Sequence, residues 1–272
     1  MTDVSSPIGI YDSGAGGLAV LAEVHALLPG EDLVYYADTA WFPYGPRPAA
    51  EIRARAEAVA RELLARGAKL IVVACNTATS AAIAGLRQTL DVPFVGVEPP
   101  LKPAAAVTRA RRVALLVTPG TAGGEKLAAL IDRFGSEVTV DTIAAPGLAE
   151  MVEAGDLDGP ETRALLQRYL APVRASGADV LALGCTHYAF LRDAIARELG
   201  DAVAVIDPAP AVARQVERVL RGAALLQDRP AGGSVVYLTS GDPRHCAAIR
   251  RRLRAAGVAI PEDAPVAGRS ST

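Results

Sequence analysis

Short apolar runs alternate with helix-like stretches along nearly the whole chain, and two of these runs, 110 residues apart, stop at a cysteine. The first is Leu70-Ile71-Val72-Val73-Ala74, followed by Cys75-Asn76-Thr77. The second is Val180-Leu181-Ala182-Leu183-Gly184, followed by Cys185-Thr186-His187. A short apolar run that ends at a small residue and a polar cluster reads as a buried strand turning into a helix. Strands and helices in alternation imply a mostly parallel sheet, because parallel neighbours need a crossover that also covers the sheet.

The pattern starts with Ile8–Tyr11 and a glycine turn, and it resets at Pro99-Pro100. A second series of similar size begins at Arg112–Val117. The expected fold class is therefore α/β: two similar, pseudo-symmetric open α/β domains with mostly parallel sheets and the active site in the cleft between them. Residues 1–98 plus 208–272 form the first domain, which carries Cys75. The strand Ser234–Leu238 and the helix Arg244–Ala256 return to it. Residues 99–207 form the second domain, which carries Cys185. The last ten residues, with Pro, Gly, Ser and Thr, are expected to fray.

Bulk properties exclude several classes. A net charge of −2 gives no general pull toward nucleic acid or a membrane surface. The chain has 3 cysteines, an odd number and too few for a disulfide scaffold, which fits a reducing cytosol. The first residues lack a basic segment followed by an apolar one, and no apolar run is long enough to span a bilayer. A cytoplasmic protein without nucleic-acid or membrane partners is expected.

Free cysteine is commonly just a small buried hydrophobe. Core packing, however, does not call for Asn76, Thr77, Thr186 and His187 directly after two strand ends. These residues supply donors and acceptors where helix N–H groups also point, which suits a thiolate or a bound carboxylate. Two thiols in equivalent places suggest a substrate held between two sulfur acid/base groups. Cys75 with Cys185 and His187 would offer soft ligands to zinc, but the tight ligand pairs of zinc sites are missing, so no metal is expected.

Asp12-Ser13-Gly14-Ala15-Gly16-Gly17 is not spaced as a dinucleotide fingerprint. It reads as a turn that brings main chain close to a small anion, with Asp12 aimed into the cleft. Asp38-Thr39 and Pro43-Tyr44-Gly45 follow the second strand and become candidate substrate contacts. Cys246 lies in the last predicted helix with no polar cluster and is read as inert.

At this point the residues resemble a known family. Ile8 to Leu18, Tyr36 to Thr39 with Pro43-Tyr44-Gly45, Ala74 to Ala78, Leu183 to Tyr188, and Leu238 to Pro243 look like the signatures of glutamate racemase, in order and at its spacing. The resemblance runs from about residue 7 to 255. It implies a cofactor-independent racemase of the aspartate/glutamate racemase superfamily that interconverts L- and D-glutamate for peptidoglycan synthesis. It implies Cys75 as the base toward D-glutamate and Cys185 as the base toward L-glutamate. Asp12 is associated with the first thiol and His187 with the second, and Glu153 is an acidic residue near the site. Substrate contacts map to Asp12, Ser13, Tyr44, Gly45, Asn76, Thr77, Thr118, Thr121 and Thr186. The implied partner is glutamate, with a homodimer left open. Neither Lys69, Lys102 nor Lys126 lies in a Schiff-base-like context, so pyridoxal phosphate is not implied. Alternatives are an aspartate or hydantoin racemase, or a non-catalytic amino-acid-binding protein on the same fold. The chain departs from the family pattern at Ala37, Gly124, Ala145 and Ala189.

Overall fold

A computed structural model describes residues 3–134, 137–262 and 267–268. The first series is β1 (Ile8–Asp12), α1 (Leu18–Leu27), β2 (Leu33–Ala37), α2 (Ala49–Ala65), β3 (Leu70–Val73), α3 (Asn76–Thr89) and β4 (Phe94–Gly96). Helix α4 (Leu101–Val107) leads to β5 (Arg112–Val117), α5 (Pro119–Ala122), α6 (Glu125–Phe134), β6 (Thr139–Ala144), α7 (Leu148–Ala154) and α8 (Pro160–Ser176). Then follow β7 (Val180–Gly184), α9 (Arg192–Leu199), β8 (Ala204–Ile206), α10 (Ala209–Gly222), β9 (Val235–Thr239), α11 (Pro243–Ala255) and β10 (Ala267–Gly268).

The strands form two sheets, ordered β10-β9-β2-β1-β3-β4 and β6-β5-β7-β8. Every recorded pairing is parallel. The order β2-β1-β3-β4 repeats as β6-β5-β7-β8, so the two sheets share one winding pattern. In each, the chain leaves the central strand to one side and then crosses to the other. That reversal opens a crevice beyond the carboxyl ends of β1 and β3, and of β5 and β7. Asp12 and Cys75 stand at the first crevice, and Thr118 and Cys185 at the second.

Both faces of each sheet are covered, which explains why the strands read as continuous apolar runs. Leu70 and Val72 enter one core layer and Ile71, Val73 and Cys75 the other. In the second sheet Leu181, Leu183 and Cys185 share one layer, while Val180 and Ala182 share the opposite one. At the far end of the first sheet, a buried ion pair joins Lys69 Nζ to Glu31 at 2.6 Å. Lys69→Met is expected to lower unfolding free energy by about 3–5 kcal/mol, because it leaves a buried carboxylate without its cation. Urea unfolding measures the loss.

Some local expectations shift. The predicted helix Gly123–Phe134 starts at Glu125 as α6, with the short α5 ahead of it, and the first three residues of the predicted Ala189–Leu199 helix belong to a 3₁₀ turn, Thr186–Leu191. Helix α7 had no counterpart in the sequence reading. It is only 7 residues long, between Gly147 and Gly155, both with left-handed φ. The expected frayed end lies outside the described residues except for β10, which pairs with β9.

Candidate active site

Cys75 caps α3, its sulfur accepting from the Ala78 N–H at 3.5 Å. Ser13 Oγ stands 3.6 Å from the same sulfur. Burial, and then the nearby Asp12 carboxylate, push the Cys75 thiol up to about 12. Across the cleft, Cys185 Sγ lies 3.8 Å from His187 Nδ1. The 3₁₀ turn begins immediately after Cys185, which swings Thr186 and His187 back over the strand end.

His187 Nε2 lies 2.7 Å from Glu153 Oε1 and 3.2 Å from the Gly16 N–H. One nitrogen cannot donate to the carboxylate and accept from Gly16 at once. The shorter contact, to a carboxylate, assigns the proton to Nε2. Burial opposes charge on the ring, but the contacts to Cys185 and Glu153 prevail and raise its pKa well above the ordinary 6.5. Glu153 Oε1 also accepts from the Ala15 N–H. The Phe42 ring lies over His187 with centroids 5.5 Å apart.

This arrangement sets a pH dependence of stability. A native pKa above the unfolded one favours folding fully below about pH 6.5, and the contribution fades as pH rises through the higher native value. Wild type should therefore exceed His187→Asn in stability most at pH 6, with the gap narrowing toward alkaline pH. Denaturant unfolding across that range checks it; a constant gap would contradict it.

Asp12 is fully buried. Its Oδ1 accepts from Gly14 N–H at 2.9 Å and from Ser13 Oγ at 3.4 Å, and its Oδ2 accepts from Thr186 Oγ at 2.9 Å. Its hydrogen-bond link to Cys75 therefore runs through Ser13, while it binds the second unit directly. Thr77, Thr118 and Thr121 form a triangle of hydroxyls across the cleft, with separations of 3.0, 3.4 and 3.0 Å.

A cavity of about 150 Å³ is lined by both thiols, with Ser13, Tyr44, Gly45, Asn76, Thr77, Thr118, Thr186 and His187. The Asn76 amide nitrogen and oxygen are buried there without a hydrogen-bond partner. Buried polar atoms without a protein partner are available to a bound ligand or water. Asp12, Thr121 and Glu153 do not line this cavity and stand behind it. Glu150 does line it and was missed, since its helix α7 carries no sequence signal longer than two turns. Asp38 is not a cavity residue: Arg55 Nε donates to it at 2.7 Å and the Tyr44 hydroxyl at 2.5 Å. Thr39 bonds Thr239. Cys246 donates to Thr239 at 3.2 Å, so it has polar partners after all.

The sequence pattern of the Asp/Glu/Hydantoin racemase family matches residues 16–216. The glutamate racemase of Herpetosiphon aurantiacus is 50% identical over 247 residues, 91% of this chain and 97% of its own. The chain belongs to the glutamate racemase family. Among solved glutamate racemases, isoform RacE1 from Bacillus anthracis superposes with a TM-score of 0.87 at 29% identity, covering 98% of this chain and 97% of that one. The Escherichia coli glutamate racemase, solved with L-glutamate and the activator UDP-MurNAc-ala, gives 0.81 at 30% identity over 91% of this chain and 95% of its own. At one departure from the glutamate racemase pattern, a Cβ at Gly124 would stand 2.6 Å from Ser80 Oγ, so a larger residue there would require the Ser80 hydroxyl to turn away. Among the described residues no helix is long and apolar enough to cross a membrane.

Proposed function

We propose that this chain interconverts L- and D-glutamate by proton transfer between Cys75 and Cys185 on opposite faces of the α-carbon. The observation that carries the reading is that both thiols, from equivalent strand ends of two similarly wound sheets, line one cavity. A substrate held between them needs no rotation to invert. One sulfur takes the α-proton as thiolate and the other, as thiol, delivers one to the far face.

Burial keeps the Cys75 thiol protonated near neutrality, which prepares it to donate. Cys185 then takes the proton of L-glutamate, and the cationic His187 beside it offsets charge on sulfur. Return from D-glutamate reverses the roles. Asp12 acts on Cys75 through Ser13, and Glu153 holds His187. The unpartnered Asn76 amide and the hydroxyls of Thr77 and Thr118 receive the substrate's α-carboxylate, where donors stabilise charge as it moves toward oxygen. Closure of the cleft excludes water from the carbanion. The product serves peptidoglycan synthesis in the cytoplasm.

Circular dichroism of L-glutamate with the purified protein and no added cofactor tests this. The signal should decay to zero as the racemate forms. Aspartate, one methylene shorter, should be turned over at least about tenfold less efficiently, since a missing methylene costs roughly 1–3 kcal/mol. Equal efficiency on aspartate would reassign the substrate.

A further inference from the structure

Helix α11 belongs to the first sheet's layer, where Ile249 and Leu253 are buried in its core and it packs on β9. Two of its arginines stay within that unit. Arg250 lies 3.7 Å from the centroid of the Tyr237 ring, and Arg254 Nε donates to Ile260 O at 3.1 Å. Arg252 crosses to the second unit instead. Its Nη1 donates to Ala154 O, the carbonyl that closes α7. The stem lies over Gly155, where a Cβ would come within 2.5 Å of Arg252 Cδ. Gly155 also adopts φ 74°, so it suits glycine on two counts, and the helix end is shaped to admit this arginine. A cation at a helix C-terminus satisfies a free carbonyl and complements the dipole.

Ala154 directly follows Glu153. That side chain accepts from Ala15 N–H on the first unit and binds His187 Nε2. Glu153 thus stands between two ties to the first unit, one at its carboxylate and one at the next carbonyl. We propose that Arg252 is a positioning residue that ties α7 to α11 and so holds Glu153, and through it His187, in place when the cleft is closed. It touches neither the cavity nor the thiols, so it acts through Glu153 alone. The proposal rests on the reading of His187 as the partner of Cys185.

The test compares Arg252→Met, which keeps the stem over Gly155 but loses the donor, with Arg252→Lys, which keeps a cationic donor. Two quantities are read on each full-length protein: kcat and KM for glutamate, and the titration midpoint of His187 by NMR. The chain has 3 histidines, so the signal is assigned by comparison with His187→Asn. The groups facing His187 are Glu153 from α7, Cys185 from the end of β7 and Asp12 from β1. Only the hold on Glu153 changes in these variants.

Arg252→Met should lower kcat about fivefold with KM within about twofold, as loss of one charge-assisted hydrogen bond from an exposed side chain allows. Its His187 midpoint should fall toward the ordinary value. Arg252→Lys should retain at least about half of wild-type kcat and the wild-type midpoint. An unmoved midpoint in Arg252→Met overturns the proposal, whatever happens to kcat or thermal stability. So does an unchanged kcat, or a lysine variant as impaired as the methionine one. The NMR readout stands even if glutamate is not the substrate, so failure of this tie and failure of the assigned reaction are distinguishable.

Discussion

Cys75→Ser and Cys185→Ser are each expected to reduce racemisation by on the order of 10²–10⁴-fold or more, the range carried by a positioned acid or base. A serine hydroxyl is a far weaker acid than a thiol and stays un-ionised near neutrality, so it can neither take nor readily return the α-proton. Both sulfurs are buried, and serine is nearly isosteric, so the fold should survive. The enantiomers have equal free energy, so kcat/KM must fall by one common factor in the two directions. Steady-state racemisation therefore cannot tell the two sulfurs apart. A 3-chloro analogue of glutamate can, because a single proton abstraction suffices to expel chloride. The protein lacking Cys185 should release chloride from the D-analogue only, and the protein lacking Cys75 from the L-analogue only. A single mutant that processed both enantiomers equally would replace two bases with one.

Gly16→Ala should cost about 10²-fold in kcat/KM while leaving the protein folded. The added methyl would lie 2.4 Å from His187 Nδ1 and 2.6 Å from Thr186 Oγ, inside any allowed contact. Gly16 does not have a positive φ, so no backbone strain accompanies the change and the effect is steric. His187 must swing away from Cys185, Thr186 must release Asp12, or the two units must separate. A displacement of about 1 Å in a catalytic group can cost 10²-fold. Overpacking should take about 1–3 kcal/mol from stability, which thermal unfolding reads. Gly85→Ala is the control. It sits on the exposed face of α3 with nothing within 4 Å of the new methyl, and it should stabilise the protein by roughly 0.5–1 kcal/mol with wild-type activity. If Gly16→Ala kept full activity, His187 would not need the position described.

The α/β class was legible because each buried strand is a short apolar run with a polar stop, and each helix has its own period. The cysteine clusters were legible for a similar reason: Asn76, Thr77, Thr186 and His187 are out of place in a core. Helix α7 was not legible. Seven residues give no reliable period, and its ends rest on two left-handed glycines. Asp38 was misjudged as a substrate contact because the residue that claims it, Arg55, lies 17 positions away on α2. No local pattern announces that ion pair. The polar partners of Cys246, Thr39 and Thr239, were not legible because they come from two other elements.

The sequence by itself determined most of the elements, the repeat of two similar strand–helix series and the residues at each strand end, since all three follow from local periodicity and from polar groups interrupting apolar runs. The tertiary structure alone decided which of those residues face one another. Asp12 pairs with Thr186, Glu153 with Ala15 and His187, Thr77 with Thr118, and Arg252 with Ala154. All of these contacts except Glu153 with His187 join the two units across the cleft. The physical reason is that hydrogen bonds reach about 3 Å and do not depend on sequence separation. A site built between two sheets is therefore written in the chain as separate halves, and only their packing brings the halves within reach.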